Sequence, residues 1–174
     1  VARGVGDPLG DVALLAALVL DEALDGKRAT PRERLEARIG PFHPSRELQT
    51  GLREVGETLQ ELEHWIAELP RRSRLVRTAR GASFSSAARL ARASAQERRL
   101  PTELLDKSLA RAAALSEADL RPRPLLTSSD FSAAGIPRGP RWGQLLLAAE
   151  TAQLELELTT REAALEWLRA RGAS

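Results

Sequence analysis

The clearest pattern in this chain is an apolar stripe between Ser45 and Leu69. Its members follow one another at alternating intervals of four and three residues: Leu48, Leu52, Val55, Leu59, Leu62, Ile66 and Leu69. This spacing places them on one face of an α-helix, and Pro70 ends the helix because proline cannot continue it. We predict a core-facing helix over residues 45–69. A coiled coil shows the same spacing, but the stripe covers too few heptads for us to favour one.

Further helix signals occur on both sides of this stripe. Thr30, Pro31 and Glu33 stand where a capping residue, a first-turn proline and a capping-box glutamate belong, which predicts a helix to about residue 39. Other helices are predicted over residues 11–25, 83–98 and 101–115. The fold class is therefore all-α, with a glycine-rich linker at 1–10, a multi-helix bundle body at 11–120 and a helical tail at 121–174.

The tail sequence over residues 125–169 predicts helix, tight hairpin, helix, turn and helix. Residues 128–130 offer N-cap side chains for the first helix, and Gly135 suits the left-handed position that ends it. Pro140 suits the first position of the second helix, where its missing N–H costs nothing. Residues 159–162 have the spacing of a capping box for the third helix. We expect a corner like that of a helix-hairpin-helix motif.

The hairpin has a candidate function as a phosphate site. The N–H groups of Gly139, Arg141 and Trp142 are expected to point out of the start of the second helix, at the positive end of its dipole. Gly139 lets a ligand backbone come close, and Arg138 and Arg141 flank the position. An ordinary helical corner with surface arginines fits the motif equally well.

Charge is unevenly distributed along the 174 residues, although the net charge is only +2. Residues 71–99 hold nine arginines and one acid, Glu97. The planar guanidinium of arginine binds phosphates and also stacks on bases, although codon bias in a GC-rich genome would favour arginine over lysine as well. The nucleic-acid-binding candidates are Arg71, Arg72, Arg74, Arg77, Arg80, Arg89 and Arg92 of this run, with Gly135, Arg138, Gly139 and Arg141 of the hairpin. The chain has no Cys, which excludes disulfides and thiolate metal sites, and no apolar run long enough to span a membrane.

Several motifs of the tail resemble the C-terminal tail of bacterial CCA-adding enzymes, the tRNA nucleotidyltransferases of the poly(A) polymerase family. They are Leu-Leu-Thr-x-x-Asp, Gly-Ile-Pro-x-Gly-Pro-x-x-Gly, Gln153-Leu154-Glu155-x-Glu157 and Thr159-Thr160-Arg161-Glu162-Ala163-Ala164. The match covers about a quarter of the chain, and the body resembles the family only in its helical character. Two positions differ: the family often has Gly where this chain has Ser129 and Leu156, and the second difference suggests a modified turn.

The resemblance implies a tRNA-binding body and tail, with tRNA as partner and the cytoplasm as location. In the family, a catalytic head with a glycine-rich turn and an Asp-x-Asp carboxylate pair precedes this region. We find neither feature here, since Glu155-x-Glu157 lies between helices, so we name no catalytic or metal-binding residue. We expect Mg²⁺ only with a head, and no nucleotide addition by this chain alone.

Two other functions remain open. A helix-hairpin-helix module that binds DNA without sequence preference needs only the corner over residues 135–143 and basic residues beside it. A helical interaction module without nucleic acid would use the apolar stripe of residues 48–69. The motifs at 153–154 and 159–164 favour the tRNA reading over both.

Overall fold

A computed structural model describes residues 45–172, together with Glu33, which is helical and exposed. All regular structure in these residues is α-helical, which confirms the predicted all-α class. The eight helices within residues 45–172 are α1 (Arg46–Ala67), α2 (Arg72–Ala79), α3 (Phe84–Glu97), α4 (Glu103–Ala113), α5 (Glu117–Leu120), α6 (Ser128–Ala133), α7 (Pro140–Leu154) and α8 (Arg161–Gly172). The predicted linker at 1–10 and the predicted helix at 11–25 lie outside the described residues, as does all but Glu33 of the helix starting at residue 30.

Helix α1 corresponds to the predicted stripe helix. Ser45 is its N-cap, and the Ser45 hydroxyl accepts a hydrogen bond from the Leu48 N–H at 3.2 Å. The helix ends at Ala67, two residues before the predicted end, because Glu68 already has extended backbone angles. As a result, Leu69 lies beyond the helix and is 39% exposed. The middle of the stripe is buried as predicted, at Leu52, Val55, Leu59 and Leu62.

Trp65 replaces Ile66 as the buried residue in the last turns of α1. Its side chain is fully buried, and its indole N–H donates to Glu61 Oε1 at 2.9 Å, whereas Ile66 is only half-buried. A straight helix has 3.6 residues per turn, so a stripe with a strict 3.5-residue period drifts around its surface. The buried face therefore moves from position 66 to position 65. Trp65 packs against Phe84 of α3, with the ring centroids 6.2 Å apart.

The described residues divide into two compact units. The first contains residues 45–70 and 78–113, and in it α1 packs against α3 and α4. Small residues on α3, Ala87, Ala91 and Ala95, are buried there and permit close helix packing. Ser83 precedes α3 as predicted, but its hydroxyl makes no cap hydrogen bond and instead lies 2.7 Å from Thr58 Oγ1.

The second unit contains residues 71–77 and 114–172. Its division from the first unit therefore differs from the predicted body and tail boundary at residue 120, and it includes the start of α2. From α6 to α8 the order is the predicted helix, hairpin, helix, turn, helix. Two short helices, α2 and α5, were not predicted, although Ser116 and Asp119 form the capping box of α5.

A single apolar core holds the second unit together. Phe131, Ala164 and Leu168 are its fully buried members, and they come from α6 and α8. The other buried members are Leu126, Ile136, Leu145, Ala149, Ala152 and Leu158. Ile136 belongs to both the core and the hairpin, so its burial attaches the hairpin to the core.

Candidate nucleic-acid interface

The first half of the hairpin is a hydrogen-bonded C-terminal turn of α6. Gly135 has φ +71°, the left-handed conformation predicted for it, which residues with a Cβ rarely adopt. Its N–H donates to Ser132 O, and the Ile136 N–H donates to Phe131 O, both at 3.1 Å. These two bonds define a Schellman motif, in which the carbonyls at the end of a helix find donors. The chain therefore leaves α6 in one fixed direction.

The second half of the hairpin is the start of α7. Gly139 is the N-cap and Pro140 occupies the first turn, as predicted. The Trp142 N–H donates to Gly139 O at 3.0 Å, so the prediction that this N–H is free for an anion is wrong. Gly139 has extended angles (φ 170°, ψ −175°) that any residue can adopt, and no atom lies within 4 Å of where its Cβ would be. The fold itself therefore does not require glycine at position 139.

The two hairpin arginines lie beside Trp142 and the end of α8. The Arg138 guanidinium lies 5.6 Å from the centroid of the Trp142 ring, in cation–π contact. The Trp142 indole N–H donates to Ile136 O at 3.1 Å, which fixes the ring over the hairpin. Arg141 Nη2 donates to Arg171 O at 2.7 Å. Neither Arg138 nor Arg141 has an acidic partner within residues 45–172.

Most arginines of the basic run interact with other groups of the protein. Arg72 Nη2 lies 2.6 Å from Asp119 Oδ1, and Arg77 Nη2 lies 3.1 Å from Glu150 Oε2. Arg92 Nε lies 2.9 Å from Asp106 Oδ1. Arg74 and Arg80 also interact within the chain. Many of the arginines that form one basic block in the sequence are therefore already paired with other groups of the protein.

The run is also divided between the two units. Residues 71–77 belong to the second unit, while Arg80, Arg89 and Arg92 belong to the first. Arg71 and Arg89 are exposed. The run is therefore not a continuous face within either unit, and its role in binding nucleic acid stays a prediction.

Motif residues at the start of α6 have structural contacts. The N-cap is Thr127 rather than a residue of 128–130, because Thr127 and Asp130 form the capping box. The Thr127 N–H donates to Asp130 Oδ2 at 2.7 Å, and Arg161 Nη2 donates to Asp130 Oδ1 at the same distance. The Thr127 backbone hydrogen bond and the Arg161 charge lower the pKa of Asp130 against the opposing effect of burial. Thr160 rather than Thr159 caps α8, since its hydroxyl accepts from the Ala163 N–H at 3.2 Å.

Gln153 and Glu155 of the tail motif hold two neighbouring segments. Gln153 Nε2 donates to Arg123 O at 2.7 Å, and Gln153 Oε1 accepts from the Leu125 N–H at 3.3 Å. Glu155 Oε1 accepts from the N–H and hydroxyl of Ser73, at 3.0 and 2.5 Å. Burial raises the pKa of Glu155, but the Ser73 hydrogen bonds outweigh it, and the pKa is lowered overall. These side chains stabilise the tail fold and leave the hairpin as its candidate binding element.

Leu156 was expected to give a modified turn, and that expectation is wrong. Its φ of 63° is left-handed, the conformation glycine favours. Its N–H donates to Gln153 O at 3.0 Å and the Glu157 N–H donates to Ala152 O at 2.8 Å, the same pattern as at Gly135. The turn therefore has regular hydrogen bonds, and the strain lies in the left-handed backbone of Leu156, a residue with a Cβ.

Sequence reasoning missed the end of α8 as a neighbour of the hairpin. Arg171 Cζ lies 4.3 Å from the centroid of the Trp167 ring, and the Arg171 carbonyl accepts the Arg141 hydrogen bond. The four-residue spacing of Trp167 and Arg171 on a helix is the signal that could have found this pair.

We found no family model, curated protein or solved structure that matches this chain. Among the residues that the structure describes, no helix is both long and apolar enough to cross a membrane. The same residues contain no group of three or more His, Cys, Asp or Glu side chains that could hold a metal ion.

Proposed function

We propose that this chain is the tRNA-binding body and tail of a tRNA nucleotidyltransferase, and that the hairpin at residues 135–141 binds the RNA backbone. One observation carries the proposal: Arg138 and Arg141 flank Gly139 in the hairpin, both are exposed, and neither has an acidic partner in the described part of the chain. Arg72, Arg77 and Arg92, by contrast, are each paired with a carboxylate. Unpaired arginines at a helix start suit a phosphate, which gains from both the forks and the helix dipole.

Recognition at such a site is by shape and charge. A-form RNA has a deep, narrow major groove that side chains cannot read, so proteins contact its phosphates, its 2′-hydroxyls and its unpaired bases. The hairpin presents two guanidinium groups, and the Schellman turn at Gly135 and the buried Ile136 fix its backbone. A fixed backbone lowers the ordering cost on binding.

The apolar stripe does not favour the interaction-module alternative. Leu52, Val55, Leu59 and Leu62 are at most 3% exposed, so the central part of the stripe is already buried. A protein partner would need these side chains to be exposed. The DNA-binding alternative has the same geometric support as tRNA binding, and the experiment below separates the two.

The test compares two double variants that remove the same charge. Arg138→Ala/Arg141→Ala removes the hairpin cations, and Arg46→Ala/Arg53→Ala removes two exposed arginines of α1. Binding to tRNA and to duplex DNA of equal length is measured at two salt concentrations. We expect the hairpin variant to weaken tRNA binding, and each lost phosphate contact to reduce the log–log salt slope by about 0.7–0.9. The α1 variant should bind as the wild type does.

Two outcomes would contradict the proposal. Equal loss in the two double variants would show that only net charge matters. Equal affinity of the wild type for duplex DNA would support the helix-hairpin-helix alternative. Because Arg141 also donates to Arg171 O, each variant is melted by circular dichroism, and a loss of structure would disqualify it as a binding test.

Gly139→Ala gives a second, independent test. The backbone angles and open surroundings of Gly139 accept a Cβ, so stability should be unchanged. If RNA approaches this backbone closely, the added methyl group should weaken tRNA binding. Unchanged tRNA affinity would place the RNA away from Gly139.

A further inference from the structure

The end of α8 packs directly on the hairpin. A Cβ added to Gly172 would lie 2.8 Å from Ile136 Cδ1, closer than real side-chain contacts. Arg141 Nη2 also donates to Arg171 O at 2.7 Å. The last turn of α8 and the hairpin therefore form one continuous surface, although 30 residues separate Arg141 from Arg171.

Two arginines on this surface are each held by a tryptophan ring. Arg171 lies 4.3 Å from the Trp167 centroid, and Arg138 lies 5.6 Å from the Trp142 centroid. Both rings are half-buried and pack against the core of the unit, while both arginines are exposed. Arg171, like Arg138, has no acidic partner among the residues that the structure describes. The rings thus limit the motion of two reachable guanidinium groups.

A guanidinium differs chemically from the ammonium group of a lysine. It is planar and weakly hydrated, and it stacks on flat π systems as well as binding phosphate. Arg171 Cζ lies over the Trp167 ring and the side chain is exposed, so the outer side of the guanidinium can take a nucleobase, which extends the stack by one ring. A base in the interior of a duplex is already stacked on both faces, so away from the duplex ends only an unpaired base can do this.

We infer that the Trp167–Arg171 pair stacks on an unpaired nucleobase of the bound RNA, beside a hairpin that contacts its phosphates. This inference rests on the proposed function. Arg171 supplies the contact, and Trp167 is a positioning residue that holds the guanidinium plane. The surface would therefore prefer RNA with a loop to a fully paired RNA of the same length.

The test uses the full chain and two RNA probes of equal length, a stem–loop and a blunt duplex. Arg171→Lys keeps the charge and removes the plane, so stem–loop binding should weaken about five- to tenfold while duplex binding is nearly unchanged. Trp167→Phe keeps a smaller ring and should give a smaller loss on the stem–loop. Arg169→Ala is the control, because it removes an exposed arginine of the same helix that has no tryptophan contact.

The outcomes separate this inference from the proposed function. Loss of stem–loop binding in Arg138→Ala/Arg141→Ala but not in Arg171→Lys or Arg171→Ala would overturn the stacking contact and leave the hairpin proposal standing. An equal loss on both RNAs in Arg171→Ala, with Arg171→Lys unaffected, would show a phosphate contact and also overturn it. No loss in any variant would reject both. The backbone carbonyl of Arg171 is kept in the Arg171, Trp167 and Arg169 variants, so its bond from Arg141 is retained in them.

Discussion

Arg161 Nη2 lies 2.7 Å from Asp130 Oδ1, in an ion pair that joins the first turn of α8 to the first turn of α6. The Asp130 side chain is only 9% exposed, and its second oxygen accepts from the Thr127 N–H. One carboxylate therefore caps a helix and connects two helices of the same unit. Residues of the motifs that carried the family resemblance thus have a physical reason to occur together, because they specify this fold.

The first prediction is that Asp130→Ala lowers the free energy of unfolding of this unit by about 1–2 kcal/mol, from the lost cap and the unpaired Arg161. Urea unfolding is followed by tryptophan fluorescence, to which Trp142 and Trp167 of this unit and Trp65 of the first unit contribute. Glu117→Ala breaks an exposed pair with Arg121, at 3.4 Å, and should cost about 0.5 kcal/mol or less. Equal costs in the two variants would show that the Asp130 contacts do not form in solution.

The second prediction concerns two residues with left-handed backbone that are not glycine. Arg99 (φ 54°) and Leu156 (φ 63°) both follow helices whose last carbonyls accept the two Schellman hydrogen bonds. A Cβ in this conformation costs about 1 kcal/mol, and the Leu156 side chain is 60% exposed, so it loses little packing when removed. Arg99→Gly and Leu156→Gly should each raise the free energy of unfolding by about 1 kcal/mol.

Gly135→Ala is the converse control and should lower the free energy of unfolding by a similar amount, because Gly135 has φ +71°. The space around Gly135 is open, so the added methyl group makes no clash and the backbone conformation alone accounts for the loss. The measurement is chemical denaturation of all three variants under one set of conditions. A loss of stability in Leu156→Gly would mean that its side chain makes contacts that outweigh the backbone strain.

The third prediction is a pKa. Hydrogen bonds from the Ser116 hydroxyl and backbone, and then from Arg72, lower the pKa of Asp119 from 3.8 to about 2. A carboxyl with a lowered folded pKa stabilises the fold above its unfolded pKa, and this contribution is lost as the pH falls. The contribution of Asp119 should therefore be complete above about pH 4 and disappear as the pH falls through 2.

Carbon-13 NMR titration of the Asp119 carboxyl measures this directly. Ser116→Ala removes the hydroxyl hydrogen bond, the largest single cause, and keeps the backbone N–H, so it should raise the pKa of Asp119 part of the way towards 3.8, and by more than Arg72→Gln does. A larger rise in Arg72→Gln would mean that the ion pair, rather than the capping box, holds this carboxylate.

Local chemistry was readable from the sequence, and the fold confirms it at several positions. The stripe forms helix α1 from Arg46, Gly135 is left-handed and Pro140 starts α7, since each depends on residues only a few positions away. The burial of Trp65 in place of Ile66 was missed because a seven-residue pattern does not follow a straight helix. Reading the stripe with a 3.6-residue period would have corrected it.

The candidate site was less predictable because its features depend on tertiary contacts. The arginine run reads as one basic block, yet Arg72, Arg77 and Arg92 find acids 47, 73 and 14 residues away. No local pattern specifies such partners. The contact between the hairpin and the end of α8 is missed for the same reason, since Arg141 and Arg171 meet only through packing.

The last prediction separates arginines that stabilise the fold from those that are free to bind a ligand. Arg77 donates to both Glu150 and Thr151, at 3.1 and 2.7 Å, so Arg77→Glu places two like charges together and removes a hydrogen bond. It should lower the free energy of unfolding by about 1–2 kcal/mol. Arg89→Glu reverses an exposed charge with no partner among the described residues, and it should change stability by about 0.5 kcal/mol or less.

Urea unfolding and tRNA binding at two salt concentrations are measured on both variants. If the run contributes a phosphate contact, Arg89→Glu should weaken tRNA binding and reduce the salt slope while the fold is unchanged. Arg77→Glu should affect binding mainly under conditions in which the protein begins to unfold. The reverse result, a stable Arg77→Glu variant that loses more tRNA affinity than Arg89→Glu, would mean that Arg77 leaves Glu150 to bind RNA. The paired arginines would then have to be counted among the binding residues.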